Sequence, residues 1–98
     1  MPKNVIFNLS VSGAEAVIVT IQGVQVSTGP LSYHFVKILN DNVLNVEIDI
    51  SAPTGTSYTI IYSCTSDGIS KSDPGKPSPI NGTIQHFNGK TERLTIPL

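Results

Sequence analysis

The run VLNVEIDISAPTGTSYTIIYSCT, residues 43–65, constrains the fold more than any other stretch of the chain. Leu44, Val46, Ile48 and Ile50 alternate with Asn45, Glu47, Asp49 and Ser51. A period of two places one set on a buried face and the other in water, which is the pattern of a half-buried strand. Residues 52–56 then bring Pro53 and Gly55, whose backbone preferences set a turn or corner. Beyond it Tyr58, Ile60, Tyr62 and Cys64 alternate with Thr59, Ser63 and Thr65, with Ile61 the apolar residue in the polar register. Two neighbouring strands of an all-β domain are expected here.

The same period recurs on both sides. Val5, Phe7, Leu9 and Val11 share one face of a first strand over residues 4–12, and Val17, Val19 and Ile21 one face of a second over 15–21. The phase slips at Gln22-Gly23, because Val24 and Val26 now hold the apolar positions. A one-residue slip turns every side chain to the other face, so a bulge, a strand crossing or a tight hairpin belongs there. Gln-Gly is a weaker hairpin signal than Asn-Gly, and the bulge or crossing is the expectation. Residues 31–39 form a third strand, apolar on both faces after Phe35, which predicts a central position. Asn40-Asp41-Asn42 is a turn. Residues 66–79, SDGISKSDPGKPSP, hold three prolines and two glycines and show no strand character. Residues 80–87 resume a strand, Asn88-Gly89 reads as a hairpin turn, and residues 91–98 return from it. Seven to eight short antiparallel strands with regularly spaced turns predict a Greek-key β-sandwich, a single domain over residues 1–98.

Composition narrows the function classes. Only 13% of the 98 residues are charged, about half the usual share, and 27 are Ser, Thr or Asn. The net charge is −1 with the charges scattered singly, so the basic patch that would neutralise phosphates is absent and nucleic acid is not expected as a partner. No apolar run reaches the ~18–20 residues of a membrane helix, and no membrane insertion is expected. The start, MPKNVIFNLS, lacks the apolar region of a signal peptide and enters a strand pattern at once; if the chain is an excised module, its composition leans extracellular. Cys64 is the sole cysteine, in register with Tyr58, Ile60 and Tyr62, and is expected to be a small buried hydrophobe.

Residues 53–72, PTGTSYTIIYSCTSDGISKS, resemble the E–F corner and F strand of a fibronectin type III domain, with its Pro-Gly-Thr-x-Tyr step and alternating strand positions. Residues 31–37, LSYHFVK, are similar to the C strand of that family, and the opening strands to its A and B strands. The resemblance implies an immunoglobulin-like sandwich in which Tyr58 is the corner tyrosine, its hydroxyl bonded to upstream backbone. The chain departs from the family in having no Trp and a longer tail from Asn81 onward.

For chemistry the sequence offers little. His34 and His86 read as ordinary strand residues, no G-x-S-x-G elbow or phosphate-loop spacing occurs, and no enzyme, cofactor or metal site is expected. Asn40, Asp41, Asn42, Asp67 and Asp73 are oxygen ligands in type but turn formers by context. The expectation is a non-catalytic binding, adhesion or assembly module that meets a protein partner through the long loop or an edge strand. In the loop the candidate binding residues are Ser66, Asp67, Ser70, Lys71, Asp73 and Lys76. An edge strand would also serve a homo-oligomer. The alternative is a small lectin-like carbohydrate binder assisted by calcium, with Tyr33 and Phe87 the rings left to stack on a sugar.

Overall fold

The computed structural model describes residues 2–85, 87 and 89–98. Among these, nine strands follow one another: β1 (Lys3–Ser12), β2 (Ala16–Ile21), β3 (Val24–Gly29), β4 (Ser32–Leu39), β5 (Val43–Ser51), β6 (Ser57–Ser66), β7 (Ile69–Lys71), β8 (Ile80–Thr83) and β9 (Lys90–Pro97). They form two antiparallel sheets, one in the order β4-β1-β6-β7 with β8 also on β6, the other in the order β3-β2-β5-β9. The alternating apolar residues of both sheets point at each other and make the core. Phe7, Ile48, Ile60, Leu44 and Ile96 are fully buried in it. Their complements, such as Asn8, Asn45 and Ser63, line the outer faces. This is the β-sandwich that the period-two pattern predicts, and Cys64 is buried in it as expected.

The strand order carries information the pattern did not. β1 and β2 lie in opposite sheets, whereas the immunoglobulin order sets the first two strands side by side in one. β4 is an edge strand, paired with β1 alone, so the central position expected for residues 31–39 is incorrect. Its second apolar face is exposed: Val36 is 56% and Ile38 61% accessible.

Two turns differ from expectation as well. Gln22 and Gly23 both have positive φ, 52° and 78°, and join β2 to β3 as a tight hairpin with Ile21 opposite Val24. Two consecutive positive angles are what a right-twisted two-residue hairpin requires. Gln22 tolerates its angle because its side chain is tied down, Nε2 donating to the Val43 carbonyl at 2.9 Å and Oε1 accepting from Asn45 N–H at 2.8 Å. The bulge lies further along, where the β2–β3 register shifts between Val19 and Thr20. Asp67-Gly68, with φ of 51° and 80°, is a second hairpin turn, and it adds β7 to a segment expected to have no strand. β8 and β9 belong to different sheets, and the turn expected at Asn88-Gly89 falls partly outside the described residues. Asn88 and His86 themselves lie outside the described residues.

Candidate functional site

Two regions could meet a partner: the segment 66–79, and the opposite side of the sandwich where β3 and β4 leave their edges open.

The segment 66–79 leaves β6, begins with β7 and ends at the start of β8 in the same sheet, and between them it forms a strap that reaches across to the other sheet. After β7 it is held by Tyr62, whose hydroxyl accepts from Asp73 N–H at 3.1 Å and donates to the Lys76 carbonyl at 2.6 Å. The Ser78 hydroxyl accepts from Tyr62 N–H at 3.1 Å. That N–H faces the edge of β6 away from β1, in the interval between the stretches paired with β7 and with β8. The strap also reaches the second sheet. Asp73 Oδ2 accepts from Thr95 N–H on the free edge of β9 at 2.8 Å, and its Oδ1 accepts from Gly75 N–H at 2.8 Å. The Thr95 bond, with the Gly75 bond and the Lys76 charge adding to it against a smaller effect of burial, holds the Asp73 carboxyl below the usual carboxylate range. Two strand edges are therefore covered by one segment. Its prolines at 74, 77 and 79 carry no N–H, so the cover itself offers few donors for further pairing.

Beneath the strap lies a buried charge. Glu92 on β9 is 9% exposed; its Oε1 meets Lys76 Nζ at 2.9 Å and its Oε2 accepts from the Tyr58 hydroxyl at 2.7 Å. Burial pushes the Glu92 carboxyl up, but the bonds from Tyr58 and Lys76 and the Lys76 and Lys90 charges outweigh it, and it titrates below its ordinary value. Burial, and then the bond and charge of Glu92, push the Tyr58 hydroxyl well above its own. The corner role expected for Tyr58 is thus incorrect: its hydroxyl crosses the sandwich to a carboxylate, and Tyr62 is the tyrosine that bonds backbone, downstream in the strap. The Tyr58 ring needs the space beside Gly82 on β8, because a Cβ there would collide with the ring's outer carbons and oxygen. A hollow of about 260 Å³ lined by Tyr58, Asn81, Thr83, Lys90 and Glu92 adjoins this cluster. Every polar side-chain atom buried among the described residues has its hydrogen-bond partner.

The six loop residues singled out from sequence take different places. Ser66 is buried at the end of β6. Asp67 turns the hairpin and its Oδ1 accepts from Asn4 N–H at 2.8 Å. Ser70 and Lys71 lie on β7, Ser70 exposed and Lys71 half-buried. Asp73 and Lys76 come together in the strap, their side chains committed to Thr95, Gly75 and Glu92. Removal of residues 71–76 would strip these links and uncover the outer edge of β9 at Thr95. Among the described residues no group of three or more His, Cys, Asp or Glu is placed to share a metal ion. Of the rings considered for sugar stacking, Phe87 is 89% exposed, while Tyr33 packs against the core beside Phe35, ring centres 6.5 Å apart.

The β4 side is the feature that sequence reasoning missed. Leu31 accepts from Val11 N–H at 2.8 Å, so in antiparallel alternation the odd positions of β4 face β1. The N–H and C=O groups of Ser32, His34, Val36 and Ile38 therefore face the open edge. Between that edge and β3 runs a groove of about 300 Å³, lined by Ile21, Val24, Val26, Phe35 and Leu39 with Lys37 at its rim. Val36 and Ile38 in the even register were the available signal, since apolar residues on both faces mark a strand whose outer face is uncovered as readily as one that is central.

Comparison with known proteins adds no family to this description: no family model, no curated protein and no solved structure matches the chain.

Proposed function

We propose that this chain is a non-catalytic recognition module that takes an extended segment of a protein partner as an added strand along the free edge of β4. The observation that carries the reading is the contrast between this edge and the others. β3 is interrupted by a bulge, β7 and β8 have three and four residues, and β9 is capped by Asp73 and ends at Pro97. β4 has eight residues, an unbroken register with β1, no proline and one charge, Lys37. Natural sheets blunt their edges by such devices, and an edge left without them is a template for pairing. An incoming strand would gain main-chain hydrogen bonds from the four even positions, and alternate side chains would enter the groove beside Val26 and Phe35. Any likeness to immunoglobulin-like modules then lies in the use of a rigid sandwich to present edges and loops, not in strand order.

The test uses strand-length peptides of alternating apolar and polar residues, displayed as a library and selected against the intact domain. Selected peptides should protect the Ser32, His34, Val36 and Ile38 amides from exchange, and Val36→Lys should weaken their binding at least about tenfold. Binders that protect none of these four amides would sink the reading. Ultracentrifugation separates a second copy, which would offer its own β4, from a different protein.

A further inference from the structure

We propose that residues 72–79 are a releasable guard over the edge of β9, and that acid withdraws them to open a second strand-addition edge while the sandwich stays folded. The inference does not depend on the use assigned to β4, since it concerns the other side of the molecule.

Its basis is the chemistry of the links. The alternation set by the Leu98 N–H bond to the Asn42 carbonyl turns the even positions of β9 toward β5 and the odd positions outward. Of the outward positions Pro97 has no N–H, and Thr95 donates to Asp73. The two links between strap and β9 are therefore both carboxylate bonds: Asp73 to Thr95 N–H, and Glu92 to Lys76. Protonation removes the charge from each. The links between strap and β6 are of another kind, hydrogen bonds of the Tyr62 hydroxyl and the Ser78 hydroxyl with no carboxylate among them. Loss of charge therefore frees one side of the strap and leaves the other as a hinge. β9 itself stays paired with β5 over eight positions and buries Leu94 and Ile96.

The charged and titratable groups around the latch all bear on its direction. Asp73 faces the Thr95 and Gly75 N–H groups and the Lys76 charge, and Tyr62 bonds its backbone. Glu92 faces Tyr58 from β6, Lys76 from the strap and Lys90 from its own strand. Arg93 is engaged with Glu47 at 3.1 Å on the outer face and does not reach the latch. Because both carboxyls titrate below their ordinary values in the folded chain, the latch is complete above the usual carboxylate range. It is lost as pH falls through and below that range.

The experiment is amide exchange by NMR on the whole chain, with protection corrected for the intrinsic rate at each pH. Thr95 N–H should lose at least about tenfold in protection between neutral pH and about pH 2, the worth of one charge-assisted hydrogen bond. Ile96 N–H, which faces β5, should keep its protection over the same range. Asp73→Asn should reproduce the selective loss at neutral pH. Thr95 and Ile96 losing protection together would overturn the proposal in favour of global acid unfolding, and an unchanged Thr95 would overturn it outright. The titration of the unmodified chain decides the matter even if the variant fails to fold.

Discussion

Glu92 is held between Lys76 and Tyr58, one oxygen to each, in a position where water reaches little of it. A buried carboxylate that loses a donor bears the desolvation cost of the unpaired oxygen, which exceeds the net worth of the bond itself. Tyr58→Phe keeps the ring and its packing beside Gly82 and deletes the hydroxyl alone. The expected cost is about 1–3 kcal/mol, measured by denaturant unfolding. A cost near zero would mean that solvent reaches the carboxylate after all. Sequence could place Tyr58 on the inner face, because period two is a local property. It could not pair the residue with Glu92, which lies 34 positions away and reads on its own as a solvated charge among Lys90, Thr91 and Arg93.

At the scale of the strand, burial and exposure divide the consequences of substitution. Ile48 on β5 is fully buried, and Ile48→Ala should cost about 2–5 kcal/mol through lost burial and the cavity left behind. Val36 on β4 projects from the outer face, so Val36→Lys should leave stability within about 0.5 kcal/mol of the parent. Paired thermal melts check both, and equal losses would contradict the assignment of faces. The strap belongs at this scale too. Its prolines signalled a loop correctly, but Asp67-Gly68 was a hairpin signal of the strongest kind and predicts β7 when taken at its value. The function of the rest of the strap was illegible, because a hydrogen bond from Asp73 to Thr95 depends on where the second sheet lies.

For the molecule as a whole, the shifted groups set a window of stability. The Asp73 and Glu92 carboxyls, titrating below their ordinary values, contribute fully above roughly pH 4–4.5 and lose their contribution as pH falls further. Tyr58, held above its ordinary value, contributes fully below about pH 10 and loses its contribution as the unfolded chain ionises above that. The unfolding free energy should therefore be level across neutral pH and fall on both sides. In Tyr58→Phe the alkaline fall attributable to that hydroxyl should vanish. An alkaline limb unchanged by the substitution would show that other groups govern it.

The amino-acid sequence alone determined that this chain is an antiparallel sandwich, which residues face its core, and that Cys64 is one of them. Those properties follow from alternation, and alternation is written residue by residue. Which strand sits beside which was decided only by the tertiary structure, since many pairings bury the same apolar faces and differ in distant contacts. From that choice came the open edge of β4, the guarded edge of β9 and the Tyr58–Glu92–Lys76 cluster. Each depends on groups far apart in the chain, whose meeting no local pattern encodes.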